Sequence, residues 1–472
     1  MARLKLKGKE LKAMGFPEGA WIGEAMKTAE RLWTHKEKQQ AFERLSALAH
    51  DPQGFINDPE LGHIAMLLIP EEDTTTKLLA EQVPVEVFGK EFIEPGAFAQ
   101  MNIASRLPVA VSGALMPDAH QGYGLPIGGV LATEDAVIPY AVGVDIGCRM
   151  CLSVFDIPVQ HLKNERSRFA HILETSTLFG AGKEFSSPED HDVLYNKAFN
   201  EISMLGPLRQ KAVKQAGSSG SGNHFVEFGE VEIHAGNDLG LSPGRYTGLL
   251  SHSGSRALGA GIASHYTRVA AKKRRLPKEA THLAWLMLNE EEGAEYWEAM
   301  NLAGEYASAC HHIIHNKIAK ALGVTPLRMI ENHHNFAWKE IHGNKEVIVH
   351  RKGATPAAPG VFGIIPGSMT APGFIVSGKG HEGSLHSASH GAGRRMSRNQ
   401  ALATFSINML RDVLKQNDVM LIGGGMDESP MAYKDIEDVM QAQQDLVKVE
   451  GKFFPSIVRM DDAAPRKRAS RK

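Results

Sequence analysis

His390 lies between small residues in Ser387-Ala-Ser-His-Gly-Ala-Gly-Arg394. An imidazole flanked by backbone amides that can close on a charged group is suited to accept a phosphoryl group, with N–H donors cradling the charge. The expected chemistry is nucleotidyl transfer. Candidate metal ligands come from four separated places: Asp145 and Cys148 in Gly143-Val-Asp-Ile-Gly-Cys-Arg149, His224 after Gly217-Ser-Ser-Gly-Ser-Gly-Asn223, His252 in Ser251-His-Ser-Gly-Ser-Arg256, and His334 in Glu331-Asn-His-His-Asn-Phe336. One turn can aim Asp145 and Cys148 inward together. A thiolate with a carboxylate neutralises most of the charge of one or two divalent ions, and neutral imidazoles complete the shells. The set suits a two-metal site. Sulfur with three imidazoles argues for zinc, while the oxygen donor leaves room for manganese, so spacing does not name the metal. Taken singly, each residue also has a structural reading: Cys148 opens the apolar run 148–155, and a histidine among Ser and Gly is commonly just hydrogen-bonded.

Two loops look built for anions. Gly217–Asn223 supplies small residues whose amides can approach a triphosphate, although the Gly-Lys-Ser/Thr ending of a Walker motif is missing. Pro366-Gly-Ser-Met369 adds a hydroxyl and a turn shortly before His390. Basic patches at Lys272 to Arg275, at Arg394, Arg395 and Arg398, and from Arg466 to Lys472 are candidates for polyanion contact, each with a bland alternative as a solvated face or tail. The cluster His311, His312 and His315 has no matching carboxylate in its own run and reads as surface or interface histidines, and Cys151 carries no independent signal.

These residues need a substantial scaffold. With 472 residues, 43% hydrophobic and 22% charged, the chain can bury a large core, and its composition excludes wholesale disorder. A formal net charge of -2 denies the whole surface a strong pull on nucleic acid. Three cysteines, Cys148, Cys151 and Cys310, do not make a disulfide framework, and the start Met-Ala-Arg-Leu-Lys-Leu-Lys lacks the apolar core of a signal peptide, so a cytoplasmic protein is expected. No apolar run approaches the roughly 18 residues of a membrane span.

Residues 1–80 read as helical, with Ala25, Ala29, Leu32 and Trp33 near helical spacing, and Met14 to Gly23 reads as a helix cap and packing turn. From Val83 onward short apolar runs predict strands at Val85 to Phe88, Gly129 to Ala132, Met150 to Phe155, Phe225 to Ile233, Thr247 to Leu250, Glu346 to Val349 and Gly373 to Val376. Helices are expected near 258–275, 295–321 and 397–416. In the second, Met300, Ala303, Ala307, Cys310, Ile314 and Ile318 share a face, which makes Cys310 a core residue. Strands and helices alternate too irregularly for a doubly wound sheet or a barrel, so the class is α+β.

The motifs together resemble the RNA-splicing ligase RtcB family. The resemblance rests on Met116-Pro-Asp-Ala-His-Gln-Gly-Tyr-Gly-Leu-Pro-Ile-Gly128, Gly143–Arg149, Gly222-Asn-His-Phe-Val-Glu227, Ser251–Arg256, His334-Asn335, His350-Arg-Lys-Gly-Ala354, Pro366–Met369, His390–Arg394 and Ala432-Tyr-Lys-Asp435. It implies a single catalytic domain around a deep metal-containing cleft, set over 81–460 between the helical extension read over 1–80 and a basic, disordered tail read over 461–472. The implied activity joins RNA ending in a 3′-phosphate or 2′,3′-cyclic phosphate to RNA with a 5′-hydroxyl, with GTP and two Mn2+ ions as cofactors. Archease is the implied protein partner, and no membrane is involved.

Carried onto this chain, the resemblance makes Asp145, Cys148, His224, His252 and His334 the metal ligands, with Cys148 bridging two ions. His390 is the guanylylated nucleophile. Around the guanylate it places Asn223, His224, Phe225, Val226 and Glu227, then His334 and Asn335, then Pro366, Gly367, Ser368 and Met369, and finally His390, Gly391, Ala392 and Gly393. Asp118, His120, Arg351, Lys352 and Arg394 are candidates for RNA or phosphate contact, the first two also as braces of their turn. Two departures matter: Gly373 stands where many members have serine, and the chain lacks their terminal Lys-Gly, which leaves Lys452 as the substitute guanine contact. A different class, a metal-dependent RNA phosphohydrolase or cyclic phosphodiesterase, needs the metal cluster without His390.

Overall fold

A computed structural model describes residues 2–19, 21–69 and 75–462. Contacts divide the chain into two units, Met1–Thr74 and Thr75–Lys472. In the first unit, helices Gly8–Ala13, Trp21–Leu32, Lys38–His50 and Gly62–Leu68 enclose a core of Leu11, Ala25, Ala29, Leu45, Leu48 and Ile64. Ala25 and Ala29 are fully buried because they lie one helical turn apart on the inward face. The first helix ends in a turn at Gly15, whose φ of 101° favours glycine.

The second unit carries the site and mixes helices with two main sheets. One sheet runs Val85–Val87, Ala110–Tyr123, Leu125–Thr133, Lys345–Lys352, Asn335–His342. The larger runs Phe362–Ile365, Gly373–Gly378, Val447–Asp462, Phe225–Ile233, Gly244–Ser253, Arg149–Phe155, Arg328–His333, with Met420–Gly424 added parallel to Val447–Asp462. Each predicted strand lies within or within one residue of an observed one. The long helix Glu291–Leu322 packs against the larger sheet, with Met300, Ala303, Ala307, Cys310, Ile314 and Ile318 all buried.

Three expectations need correction. The helix expected over 397–416 is two helices, Arg398–Thr404 and Ile407–Gln416, because Ser406 takes extended backbone and accepts a hydrogen bond from the Met409 amide as a new N-cap. The final strand runs to Asp462, so residues 461 and 462 belong to the sheet rather than to the tail, while the basic run Arg466 to Lys472 lies outside the described residues. His311 and His315 are buried, not surface, histidines. Among the described residues no helix is long and apolar enough to cross a membrane.

Candidate active site

Strand register brings the distant ligand candidates together. Phe225 pairs with His252, Met150 with both His252 and Asn332, and Arg149 with Ser253 and His333. His224, His252, Cys148 and His334 therefore gather at one end of four adjacent strands. His334 is the single residue between Arg328–His333 in the larger sheet and Asn335–His342 in the other, so it marks where the chain crosses between sheets. Its amide donates to the Cys148 carbonyl at 3.0 Å and the Gly147 amide to the Asn335 carbonyl at 2.8 Å, which locks the crossing to the turn that carries Asp145. Gly254 is required beside it, since a Cβ there would collide with the Asp145 carboxylate.

The side chains form a set of converging donors. Cys148 Sγ lies 3.2 Å from His252 Nε2 and 3.5 Å from His224 Nε2, His252 Nε2 lies 3.3 Å from His334 Nε2, and Asp145 Oδ2 lies 3.0 Å from His224 Nε2. Within this set the ligand atoms of Cys148, His224 and His252 all lie within 4.8 Å of one another. Hydrogen bonds decide the tautomers: His224 Nδ1–H donates to the Ser219 carbonyl at 2.8 Å and His252 Nδ1–H to the Asn223 carbonyl at 3.0 Å. Each neutral ring therefore turns a lone pair at Nε2 toward the cluster, and His334 Nδ1 is buried without a partner. A lone pair facing a carboxylate oxygen needs a proton or a cation between them.

At the other two imidazoles electrostatics disfavours a proton. Burial lowers His252 to about 3 and holds His334 well below the ordinary imidazole value, the latter with help from neighbouring His390. Burial, with Asp145 beside it, pushes the Cys148 thiol well above the ordinary value. A bound divalent ion inverts these preferences by drawing out the thiolate and occupying the imidazole lone pairs. The donor set of one sulfur, three imidazoles and one carboxylate fits a divalent transition ion.

His390 faces this cluster, its ring centroid 5.0 Å from that of His334. Asp118, fully buried, accepts a 2.6 Å hydrogen bond from His390 Nδ1–H and a 3.1 Å bond from the His390 amide. Nδ1 is thereby committed, and the ring's lone pair is at Nε2. Burial by itself would raise the Asp118 carboxyl, yet the neighbouring His390 holds it below the usual carboxylate value. Gly393, at φ 72°, lets the chain pass over this pair: a Cβ there would strike the Asp118 backbone. Burial lowers His120, whose Nδ1–H donates to the Asp118 carbonyl, to about 4.

A cavity of about 350 Å³ joins these parts. Of the predicted site residues it is lined by Asn223, Phe225, Glu227, His252, His334, Pro366 to Met369, Gly373 and His390 to Gly393. Glu227 makes no ion pair or side-chain hydrogen bond among the described residues, and burial raises its carboxyl well above the usual range. Val226 points away into the core beside Phe228 and Leu249, because alternate residues of a strand face opposite sides. Asn335 braces the floor, donating to the Asp145 carbonyl and accepting from the Gly353 amide. Lys452 does not line the cavity; it pairs with Glu437 at 2.8 Å and lies over the Phe374 ring.

Among the phosphate-contact candidates, Arg351 is fully buried in a two-pronged pair with Glu340, and Lys352 donates to the Tyr123 carbonyl. Neither is presented to an RNA. Lys273 and Arg274 are likewise engaged, by Glu290 and Glu292. Arg394 and Arg398, both from one basic patch of the sequence, line the cavity together with Glu428, Tyr433 and Phe453, of which Glu428 and Phe453 were not singled out in the sequence. Arg394 and Arg398 pair with Glu428, which also accepts from the Tyr433 hydroxyl. The motif Ala432–Asp435 was the available signal for Tyr433.

The family model described as tRNA-splicing ligase RtcB matches residues 100–461. The chain is 33% identical over 402 residues to RNA-splicing ligase RtcB of Escherichia coli K12, covering 79% of this chain and 96% of the relative. RNA-splicing ligase RtcB1 of Escherichia coli ATCC 25922 is 32% identical over the same shares. tRNA-splicing ligase RtcB of Nanoarchaeum equitans is 29% identical over 452 residues, covering 80% of this chain and 95% of the relative.

Proposed function

Since the chain belongs to the RtcB family of RNA-splicing ligases, we propose that it joins RNA ending in a 3′-phosphate or 2′,3′-cyclic phosphate to RNA with a 5′-hydroxyl, through guanylylation of His390. The observation that carries this reading is the 2.6 Å Asp118–His390 bond, which leaves the imidazole lone pair at Nε2 in a cavity shared with the donor cluster. His390 Nε2 attacks the α-phosphorus of GTP, the nitrogen–phosphorus bond forms, and pyrophosphate leaves with the bridging oxygen. Asp118 keeps the Nδ1 proton and offsets the positive charge that the ring gains.

A 3′-phosphate oxygen of the RNA next attacks the phosphorus on His390, whose nitrogen leaves and recovers its lone pair. The RNA end now carries guanylate as a good leaving group. The 5′-hydroxyl attacks the terminal phosphorus, gives up its proton, and GMP departs as the phosphodiester forms. A cyclic phosphate is first opened by water. Asp145, Cys148, His224, His252 and His334 are the residues that would hold two Mn2+ ions, which when bound would offset the charge of the phosphates. Phe225, Glu227, the Pro366–Met369 turn and Gly391 to Gly393 enclose the guanylate, and the Glu227 carboxyl is suited to accept from the guanine edge.

A catalytic domain over 81–460 around a deep cleft, a helical extension before it, a cytoplasmic setting and archease as activating partner go with this assignment. The test is transfer of label from α-labelled GTP to the protein in the presence of manganese. Wild type is expected to label and His390→Ala is not. Equal labelling of the two would sink the mechanism, and opening of a cyclic phosphate without labelling of either would favour a phosphohydrolase.

A further inference from the structure

Among the described residues, two clusters of metal-ligating side chains lie outside the cavity around His390, and they differ in whether an imidazole nitrogen is left bare. Cys151, His311 and His315 meet in the core, but both imidazoles there are fully used. Ser153 donates to His315 Nδ1 at 2.7 Å, His315 Nε2–H to Ser251 Oγ at 2.8 Å, Ser251 to His311 Nδ1 at 2.6 Å, and His311 Nε2–H to the Ser253 carbonyl at 3.2 Å. No lone pair remains for an ion.

The second cluster lies where strand Asn335–His342 ends beside the turn Glu382–Ser384. Glu340, His342 and His386 offer ligand atoms within 4.8 Å of one another. The Glu382 carboxylate stands 3.6 Å from His342 Nδ1 and accepts a 3.0 Å hydrogen bond from His386 Nε2–H, a proton that a bound cation would replace, and the two imidazole centroids are 4.6 Å apart. His342 Nε2–H donates to Glu340 Oε2 at 2.9 Å, and Glu340 is itself clamped by Arg351 at 2.6 and 2.9 Å. That bond places the lone pair of His342 on Nδ1, which is buried and has no hydrogen-bond partner. The side chain is 9% exposed, so water does not satisfy it either. A carboxylate behind one ring nitrogen with the other left bare is the arrangement that orients a metal-bound histidine.

We propose that His342 Nδ1, His386 Nε2 and the Glu382 carboxylate form a zinc-type site, with Glu340 as the outer carboxylate and a fourth position open to water. Two imidazoles and one carboxylate are a donor set that suits Zn2+. The site bears on the backbone that delivers His390. Leu385 and His386 both hold left-handed backbone, at φ 53° and 48°, which non-glycine residues adopt at a cost, and His390 follows four residues later. An ion here ties that strained turn to the end of the neighbouring strand. Its positional role rests on the assignment of His390 as nucleophile, whereas the site itself does not.

Full-length protein is stripped with a chelator, dialysed against Zn2+, and its zinc per chain measured by elemental analysis beside Glu382→Ala and His386→Ala. Each variant is expected to hold one zinc fewer than wild type and to lose the rise in thermal midpoint that this zinc gives. The Glu382 side chain is 74% exposed, so its removal leaves the fold intact. Equal zinc content in wild type and in either variant overturns the proposal. Nucleotide labelling is not read in this experiment, so its outcome is separate from that of the ligase assignment.

Discussion

Whether His390 can act as a nucleophile depends on which ring nitrogen carries the proton, and Asp118 is the residue that decides it. An amide at that position can offer N–H2 to Nδ1, which admits the opposite tautomer and puts a proton on the attacking nitrogen. Asp118→Asn is therefore expected to slow single-turnover labelling by GTP on the order of 100-fold or more; an unchanged rate would remove Asp118 from that role. Two buried thiols should separate cleanly in the same assay. Cys148→Ala withdraws the sulfur on which His224 and His252 converge and is expected to abolish labelling. Cys310→Ala deletes one core atom from the helix Glu291–Leu322 and should cost about 1 kcal/mol of stability with labelling retained. Full labelling by Cys148→Ala would exclude that thiol from the site.

At the scale of elements, the strands that carry the candidate ligands are held from behind by a one-way chain of hydrogen bonds. His311 and His315, one turn apart on the long helix, reach Ser153 on one strand and Ser251 and Ser253 on the next. Ser251 and Ser253 flank His252, so the helix sets the height of a candidate ligand. Ser251→Ala removes the hydroxyl that both imidazoles use and leaves a buried donor and a buried acceptor unpaired, at about 1–3 kcal/mol each. The expected result is a lower denaturant midpoint together with weaker manganese-dependent labelling. A variant as stable and as active as wild type would show that the lacing positions nothing.

Across the whole molecule, several imidazoles are stored neutral in the interior. Burial lowers His315 and His333 to about 3 and His350 to about 4, and none of the three belongs to the candidate metal-ligand set. Their folded values lie below the unfolded value, so the stability they contribute is complete above pH 6.5 and is lost as pH falls toward 4 for His350 and toward 3 for the other two. Each contributes a slope of about 1.4 kcal/mol per pH unit in that window. The thermal midpoint should therefore drop steeply between pH 6.5 and 5, with or without manganese, and a flat midpoint over that range would contradict it. Residue type and local pattern alone marked the strands, the buried face of the long helix and the residues rich in donor chemistry. Phe225 to Ile233 is legible because its hydrophobic pattern is a local property, and His390 because its glycine neighbours adjoin it in the chain. Long-range partnership was not legible: nothing near His311 announces Ser251, nothing near Arg351 announces Glu340, and nothing near Lys452 announces Glu437. The sequence by itself determined which groups could bind and react. Strand register and packing decided which nitrogen of each imidazole was left bare, because a proton's position follows from hydrogen-bond partners that only the folded chain brings within reach.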